Sequence, residues 1–546
     1  MQGDATTLPI GGTAAGDETG SARPGRRLRG QARSLADAES GVLAGVLALA
    51  SILALSLFVV LMAANRPSVL APTTHAGFFP QWMAGPLGGL LPGFTSDATI
   101  LKDLFTGAIV VMYGGYVVAL KQAPRLPARW LIATIVAAHA IFLLSPPLAL
   151  TDLFNYVNYG RMEVVHGLDP YTTIPVLEPH NDPSFLLSNW HELLSPYGPL
   201  FTLLTFAVVP LGVAVSFWAI KCMLALTSLA TILLVWKCAR LLGRDPRAPI
   251  ALVGLNPIVL VWGLGGDHND FLMVFLIMLG FYLLLSAHAR GVAGEAGETQ
   301  RSGAADGLRR PEGVSARARA AWRGAGSSAG LREWLLPLSA LEIGAGMAFV
   351  TATAIKASGG VLIPVVLAGL LRAPRALVQA LLGMAAAGVV IFAASLLAFG
   401  THVPDLSTQS TLVTSESVPN LLGLAIGLGG ESAALRTVLS GVLVALVLGC
   451  CWLAWSRRDS ITASGWASVA LLVTLSWVLP WYVLWVLPLA ALSSSRRLRT
   501  TALVLGVYLI VAWSPSSGLL WHAIGFRPEK TPLGRLHQRY VKELLN

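Results

Sequence analysis

The sequence predicts an all-α polytopic membrane protein with about 13 transmembrane helices, and three observations carry that expectation. First, 55% of the 546 residues are hydrophobic and only 12% charged, with a mean hydropathy of +0.67. Soluble domains carry roughly 25% charged residues, so this chain has too little polar surface to coat a water-soluble globule. Second, apolar runs such as Gly41 to Ala64 and Ala376 to Gly400 exceed the ~20 residues that cross a bilayer as helix. Third, the basic residues gather in alternate loops, which is how orientation is written into membrane chains. No strand-length segment alternates with a period of two, which excludes a transmembrane barrel.

Taken in order, the expected spans are 41–64, 104–120, 130–150, 213–236, 250–264, 271–287, 334–355, 358–371, 376–399, 433–455, 461–479, 481–494 and 500–520. Residues 1–40 are polar and rich in Gly, Ala and Arg, and read as a disordered cytoplasmic tail before a retained signal anchor. An N-terminal membrane module covers 41–287 and a C-terminal one 334–520. Between them, 288–333 reads as a disordered Gly/Ala/Arg linker. With the N-terminus inside, the cytoplasmic segments hold 27 of the 38 Lys and Arg. The large outer loop 151–198 holds only Arg161, and 400–432 holds none. An odd number of spans leaves the basic tail 521–546 outside, against the same bias. The net charge of +10 follows this distribution and points to membrane orientation, with no nucleic acid implied. Cys222, Cys238, Cys450 and Cys451 fall in or at the end of predicted helices and read as packing residues.

Three spans are too short. Residues 250–264, 358–371 and 481–494 have at most 15 residues, about 22 Å of helix against ~30 Å of hydrocarbon. Each carries a polar or aromatic cluster at its outer end: GGDHND (265–270), Lys356 and LPWY (479–482). Backbone that stops short at membrane depth is tolerated where it lines a protein cavity, so a wet, outward-facing cavity is expected there.

Several residues carry candidate chemistry. Asp152 follows a span at the membrane edge, where an ionisable group is costly without a partner or a function; it also suits a helix N-cap. The helix after it would lie in the interface, and His166-Gly167-Leu168-Asp169-Pro170-Tyr171 has turn composition. In GGDHND, Asp267 and Asp270 have the spacing to share a divalent cation (Mg or Mn) or to hold a sugar; a polar turn is the alternative. Lys356 pairs with a phosphate or snorkels to the interface. Trp477, Trp481, Tyr482 and Trp485 stack on sugar faces or form an aromatic belt.

The ordered series DLFNYVNYGRM, HGLDPY, SPYGPLF, NPIVLVWGLGGDHND, AIKASGG and LPWYVLWVLP resembles the actinobacterial polyprenol-phosphate-mannose-dependent α-1,6-mannosyltransferases of lipomannan synthesis, within the C-type glycosyltransferase superfamily. The resemblance runs from about residue 40 to 515. It implies a C-type glycosyltransferase fold with several short helices around an outward-facing cavity in the plasma membrane. It implies a polyprenyl-phosphate-mannose donor, a lipid-linked or growing mannan acceptor, and inversion at the sugar. Asp152 stands at the position of that superfamily's catalytic base. Lys356, Arg161 and His268 would face the donor phosphate. Tyr156, His166, Tyr197, Asp267, Asn269, Asp270, Trp481 and Tyr482 would hold sugar or acceptor, with a divalent cation optional. The linker 288–333 and the basic tail depart from the family pattern. An arabinosyl or α-1,2-mannosyl transferase of the same build is the nearest rival reading; a lipid-linked sugar flippase is another, although it needs polar groups open to both faces.

Overall fold

A computed structural model describes residues 24–64, 70–71, 80–91, 94–95, 97–148, 152–303 and 338–536, with backbone alone over 24–38, 292–303 and 408–409. Every regular element among these residues is helical.

Helix α1 (Pro24–Ala64) lies against α2 (Ala98–Gln122) and α3 (Ala128–Leu143). Asp97 caps α2 by accepting from the amides of Thr99 and Ile100, both at 2.9 Å. Next come α4 (Asp152–His166), α5 (Pro199–Phe206), α6 (Val213–Leu241), α7 (Arg247–Gly254) and α8 (Asp270–Gly303). Past residues 304–337 follow α9 (Ala340–Ile355), α10 (Leu362–Leu370) and α11 (Pro374–Phe399). Later in the chain come α12 (Ala433–Arg457), α13 (Ser460–Thr474), the short α14 (Leu487–Leu492) and α15 (Arg496–Trp513). Helix α8 bridges the two halves, packing on α6 on one side and α9 on the other. Where α9 crosses α11, Gly346 and Gly383 sit against the carbonyls of Ala380 and Ile343. Small residues are what let two backbones approach so closely in a membrane.

The perimeter is apolar. Only 11% of the most apolar stretch of α12 is buried, and Leu397, Val389, Phe392 and Trp452 are largely exposed. Surface of this kind would aggregate in water and is at home in lipid. The interior holds the opposite anomaly, because the least regular backbone is the best buried. Residues 249–270 and 478–492 are all buried.

Among the described residues, six helices are long and apolar enough to cross a membrane and six more apolar helices have 10–17 residues, so the thirteen expected spans comprise long helices and shorter, broken ones. The short spans are short because each is broken. In 250–264, Pro257 cannot continue α7, and Asn256 caps the restart by accepting from the amides of Ile258 and Val259 at 2.9 and 3.4 Å. A π-helical turn, Val259–Leu264, follows. Span 358–371 opens with a 3-10 turn, Ala357–Val361, before α10. Span 481–494 is a 3-10 turn, Pro480–Trp485, joined to α14. Span 130–150 is also shorter than expected, since α3 ends at Leu143.

Two tail expectations change as well. Helix α1 starts at Pro24, inside the segment read as disordered, because its Arg, Ala and Leu residues are good helix formers. Helix α8 likewise runs past 287 to Gly303. The rest of both segments, 1–23 and 304–333, lies outside the described residues. After α15, Ser516 bonds to Asp103 and Thr106 near the start of α2. The C-terminal end thus shares a face with the start of α2. Of the cysteines, Cys238 and Cys450 are buried as expected, whereas Cys222 is exposed on α6.

Candidate functional site

The broken segments Val259–Leu264 and Pro480–Trp485 pack on each other in the bundle interior, and the candidate site is built where they meet α4. Asp152 is the first residue of α4. Its carboxylate turns towards His268, with Oδ2 3.0 Å from Nδ1. That approach is off the line a hydrogen bond requires, so neither ring nitrogen of His268 has a hydrogen-bond partner. The imidazole is stacked on Trp481, with ring centres 3.4 Å apart and planes 7° from parallel. Gly266 is required here: a Cβ would collide with His268 Nε2 and the Trp262 carbonyl.

Two lysine–aspartate pairs flank His268. Asp267 takes the left-handed conformation, φ 59°, which costs a non-glycine residue about 1–2 kcal/mol. Its carboxylate receives Lys221 Nζ at 2.9 and 3.0 Å, with both side chains almost completely buried. Asp270 opens α8 and accepts Lys356 Nζ at 2.8 Å and Trp485 Nε1 at 2.6 Å. Lys356 is held in extended backbone just past the end of α9. Its ammonium lies 4.8 Å from the centre of the Tyr482 ring and 5.6 Å from Trp485, within cation–π range. Contacts therefore run unbroken from Asp152 through His268, Trp481, Tyr482 and Lys356 to Asp270. Asp152 keeps 15% and Lys356 20% of side-chain exposure, while His268 and Asp270 keep 1%. Where a wet, outward-facing cavity is expected from the short spans, the described residues form a largely buried cluster reached at Asp152 and Lys356. A small, mostly apolar cleft lined by Met273, Ile277, Leu362, Leu471 and Trp485 lies beside Lys356, through Ser358.

The segment 152–198 covers this cluster. The Tyr156 hydroxyl accepts the Asn269 amide at 3.2 Å, and its ring meets Tyr197 edge-on at 4.7 Å. Burial pushes the Tyr197 hydroxyl well above its ordinary pKa, and the Asp152 charge adds to this. The loop is pinned by the Ser195 amide on the Pro170 carbonyl (2.9 Å) and the Gly198 amide on the Ile355 carbonyl (3.1 Å). The second bond ties it to the residue before Lys356. No side chain fits at Gly198, where a Cβ would meet the Ala354 carbonyl.

Arg161 and His166 sit elsewhere in that loop, both on Asp182. Arg161 grips it with Nε and Nη2, the latter at 2.8 Å, and His166 Nε2 is also at 2.8 Å. Burial alone would raise the Asp182 pKa; Arg161, Ser184 and His166 overcome it and hold the carboxyl well below the carboxylate range. Beside it, burial, opposed in part by Asn158 and Arg161, pushes Glu178 up to about 7.

The sequence-derived residues thus divide. Asp152, Tyr156, Tyr197, His268, Asn269, Asp270, Lys356, Trp481 and Tyr482 converge; Arg161 and His166 form a separate loop clamp. Asp267 and Asp270 each hold a lysine, and among the described residues no three His, Cys, Asp or Glu side chains gather as metal ligands. Lys221 was missed, although a lysine nine positions into an apolar helix is itself a signal. Unpartnered buried atoms surround the cluster: Asn155 Nδ2, both nitrogens of His268, the Asn269 amide group and Trp481 Nε1. Buried polar atoms without partners are rare in folded proteins, and these are available to a polar ligand.

The family model described as alpha-(1→6)-mannopyranosyltransferase, N-terminal domain, matches residues 69–374, and the MptB C-terminal domain matches 411–525. An α-(1→6)-mannopyranosyltransferase of Mycobacterium tuberculosis is 29% identical over 415 residues, 69% of this chain and 67% of its own. α-(1→6)-Mannopyranosyltransferase A of the same organism is 27% identical over 418 residues, 70% and 69% of the two chains. A probable α-(1→6)-mannopyranosyltransferase of Mycolicibacterium smegmatis is 27% identical over 446 residues, covering 74% and 73%. No solved structure matches. A helical membrane bundle with these relatives is a glycosyltransferase. More narrowly, the chain belongs to the α-(1→6)-mannopyranosyltransferase family.

Proposed function

We propose that this chain moves mannose from polyprenyl-phosphate-mannose to a hydroxyl of a lipid-linked or growing mannan, on the outer face of the plasma membrane, with inversion and an α-1,6 product. The observation that carries the reading is the run of contacts linking one partly exposed carboxylate, Asp152, to one partly exposed ammonium, Lys356, across aromatic rings. A single displacement needs those two ends. At one, Asp152 takes the acceptor proton as the oxygen attacks the anomeric carbon. At the other, the bond from that carbon to the phosphate oxygen breaks, and polyprenyl phosphate leaves with the electron pair. Charge placed in advance at a departing phosphate is commonly the largest catalytic contribution; Lys356 supplies it.

Trp481 and Tyr482 lie between the two ends, where a pyranose could stack. His268 Nε2, Asn269 and Asn155 offer donors and acceptors for its hydroxyls. Tyr156 and Tyr197 wall the acceptor side. Arg161 and His166, engaged with Asp182, serve to hold the loop.

Purified protein in nanodiscs, given radiolabelled polyprenyl-phosphate-mannose and an oligomannoside, should yield an α-1,6-linked extension. Equal transfer from GDP-mannose without polyprenyl phosphate would refute the donor assignment; a different linkage would refute the product assignment.

A further inference from the structure

Away from the cluster, the ends of α3, α6 and α7 enclose an open cleft lined by Ala128, Trp236, Arg240, Gly243, Arg244 and Arg247, with Asp245. Its place in the membrane follows from helix geometry. Arg240 lies 19 residues beyond Lys221 on α6, about 28 Å at 1.5 Å per residue, close to the ~30 Å hydrocarbon thickness. Ala128 begins α3, the helix whose other end leads to Asp152. The cleft is therefore on the face opposite the candidate site.

Three guanidiniums meet one carboxylate there. Arg247 is committed to Asp245, through Nε at 2.9 Å and Nη2 at 2.6 Å, and to the Leu126 carbonyl at 3.1 Å. Arg244 donates to the Leu492 carbonyl. The Arg240 side chain is exposed and makes no hydrogen bond or ion pair among the described residues. The cleft thus keeps net positive charge and one uncommitted planar fork, the geometry that matches a phosphate. A second feature identifies what carries that phosphate. Leu226 and Leu233 precede Arg240 at seven-residue steps on α6 and are 66% and 52% exposed. Seven residues return to nearly the same helix face, so an apolar stripe of about 21 Å descends from the guanidinium into the bilayer. Trp236 stands at the rim, where indoles settle at membrane interfaces.

We infer that this cleft binds the headgroup of an anionic phospholipid, with its phosphate on Arg240 and an acyl chain along Leu233 and Leu226. A cationic pocket above a lipid-facing stripe is the pattern that retains acidic lipids at a membrane face.

Delipidated full-length protein should be titrated with phosphatidylglycerol and with phosphatidylcholine, and bound lipid counted by native mass spectrometry. The wild type should retain phosphatidylglycerol in preference to phosphatidylcholine. Arg240→Gln should weaken that retention about tenfold or more, as loss of one charge-assisted contact requires, and Arg240→Lys should restore part of it. Leu233→Ser should weaken it as well, whereas soluble glycerol phosphate should not compete. Equal retention by wild type and Arg240→Gln would overturn the inference. So would equal retention of phosphatidylcholine, or displacement by millimolar glycerol phosphate, which would mark a site for free anions.

Discussion

Replacing Lys221 by methionine keeps the length and most of the volume of the side chain but removes its charge. The Asp267 carboxylate then stays buried, held at φ 59°, with its two contacts at 2.9 and 3.0 Å gone. Breaking a buried ion pair from one side costs about 3–5 kcal/mol, chiefly because the surviving charge has no compensation. For a protein with ~5–15 kcal/mol of stability this is a large share. Lys221→Met should therefore lower the unfolding midpoint by several degrees in detergent, measured by size-exclusion recovery after heating. Asp267→Asn in the same chain removes the stranded charge. The double variant should recover most of the loss, giving a coupling energy of about 2 kcal/mol or more between the two positions. Asp267→Gly tests the backbone part separately, since glycine adopts the left-handed conformation freely. A Lys221→Met protein as stable as wild type, or effects of the two substitutions that simply add, would refute the reading of Lys221 and Asp267 as a coupled buried ion pair.

Lys356→Ala should slow transfer about ten- to a hundredfold, for loss of ~1.5–3 kcal/mol of charge-assisted contact, and Lys356→Arg should slow it less; Lys356→Met with Asp270→Asn should fold normally yet stay slow, and full activity in that double variant would reduce Lys356 to a structural role. Glu178 has a folded pKa of about 7 against an ordinary 4.5, so the native state binds its proton more tightly than the unfolded state. Stability is then greatest below the unfolded value and falls as pH rises through 7, by up to about 3 kcal/mol. Glu178→Gln should flatten the thermal midpoint between pH 4.5 and about 7, the window bounded by the two values; an unchanged slope would contradict this. Cysteines at Asn181 and Ala373, in a background with the four native cysteines replaced, should react oppositely with an impermeant thiol reagent on intact cells, Asn181 being the accessible one. Labelling of Ala373Cys alone would invert the topology.

Much of this was legible in the sequence because membrane physics constrains it strongly. Apolar runs must be helices, and α2, α6, α11 and α12 lie where their runs placed them. The short spans also announced the site, since GGDHND, Lys356 and LPWY do converge. Their cause was less visible: Pro257 and Pro480 break the backbone, so the segments are buried interruptions and the expected open cavity is largely filled. Pairing was the least legible part. Nothing in the spacing links Lys221 to Asp267, 46 residues on, or Lys356 to Asp270, 86 residues back. A carboxylate reads alike as metal ligand or salt bridge until its partner is seen. Arg161 shows the same limit: the family resemblance put it beside the donor phosphate, whereas in the fold Asp182 holds it.

The central claim is that Asp152 is the base, and the most direct measurement is the transfer rate of Asp152→Asn in nanodiscs with polyprenyl-phosphate-mannose and an oligomannoside. Asparagine keeps the shape and begins a helix about as well as aspartate, but it cannot take a proton. The account predicts a loss of at least about 10²-fold in turnover, with normal folding and unchanged donor binding. Wild-type turnover in Asp152→Asn would contradict it and leave the contact with His268 as a structural one.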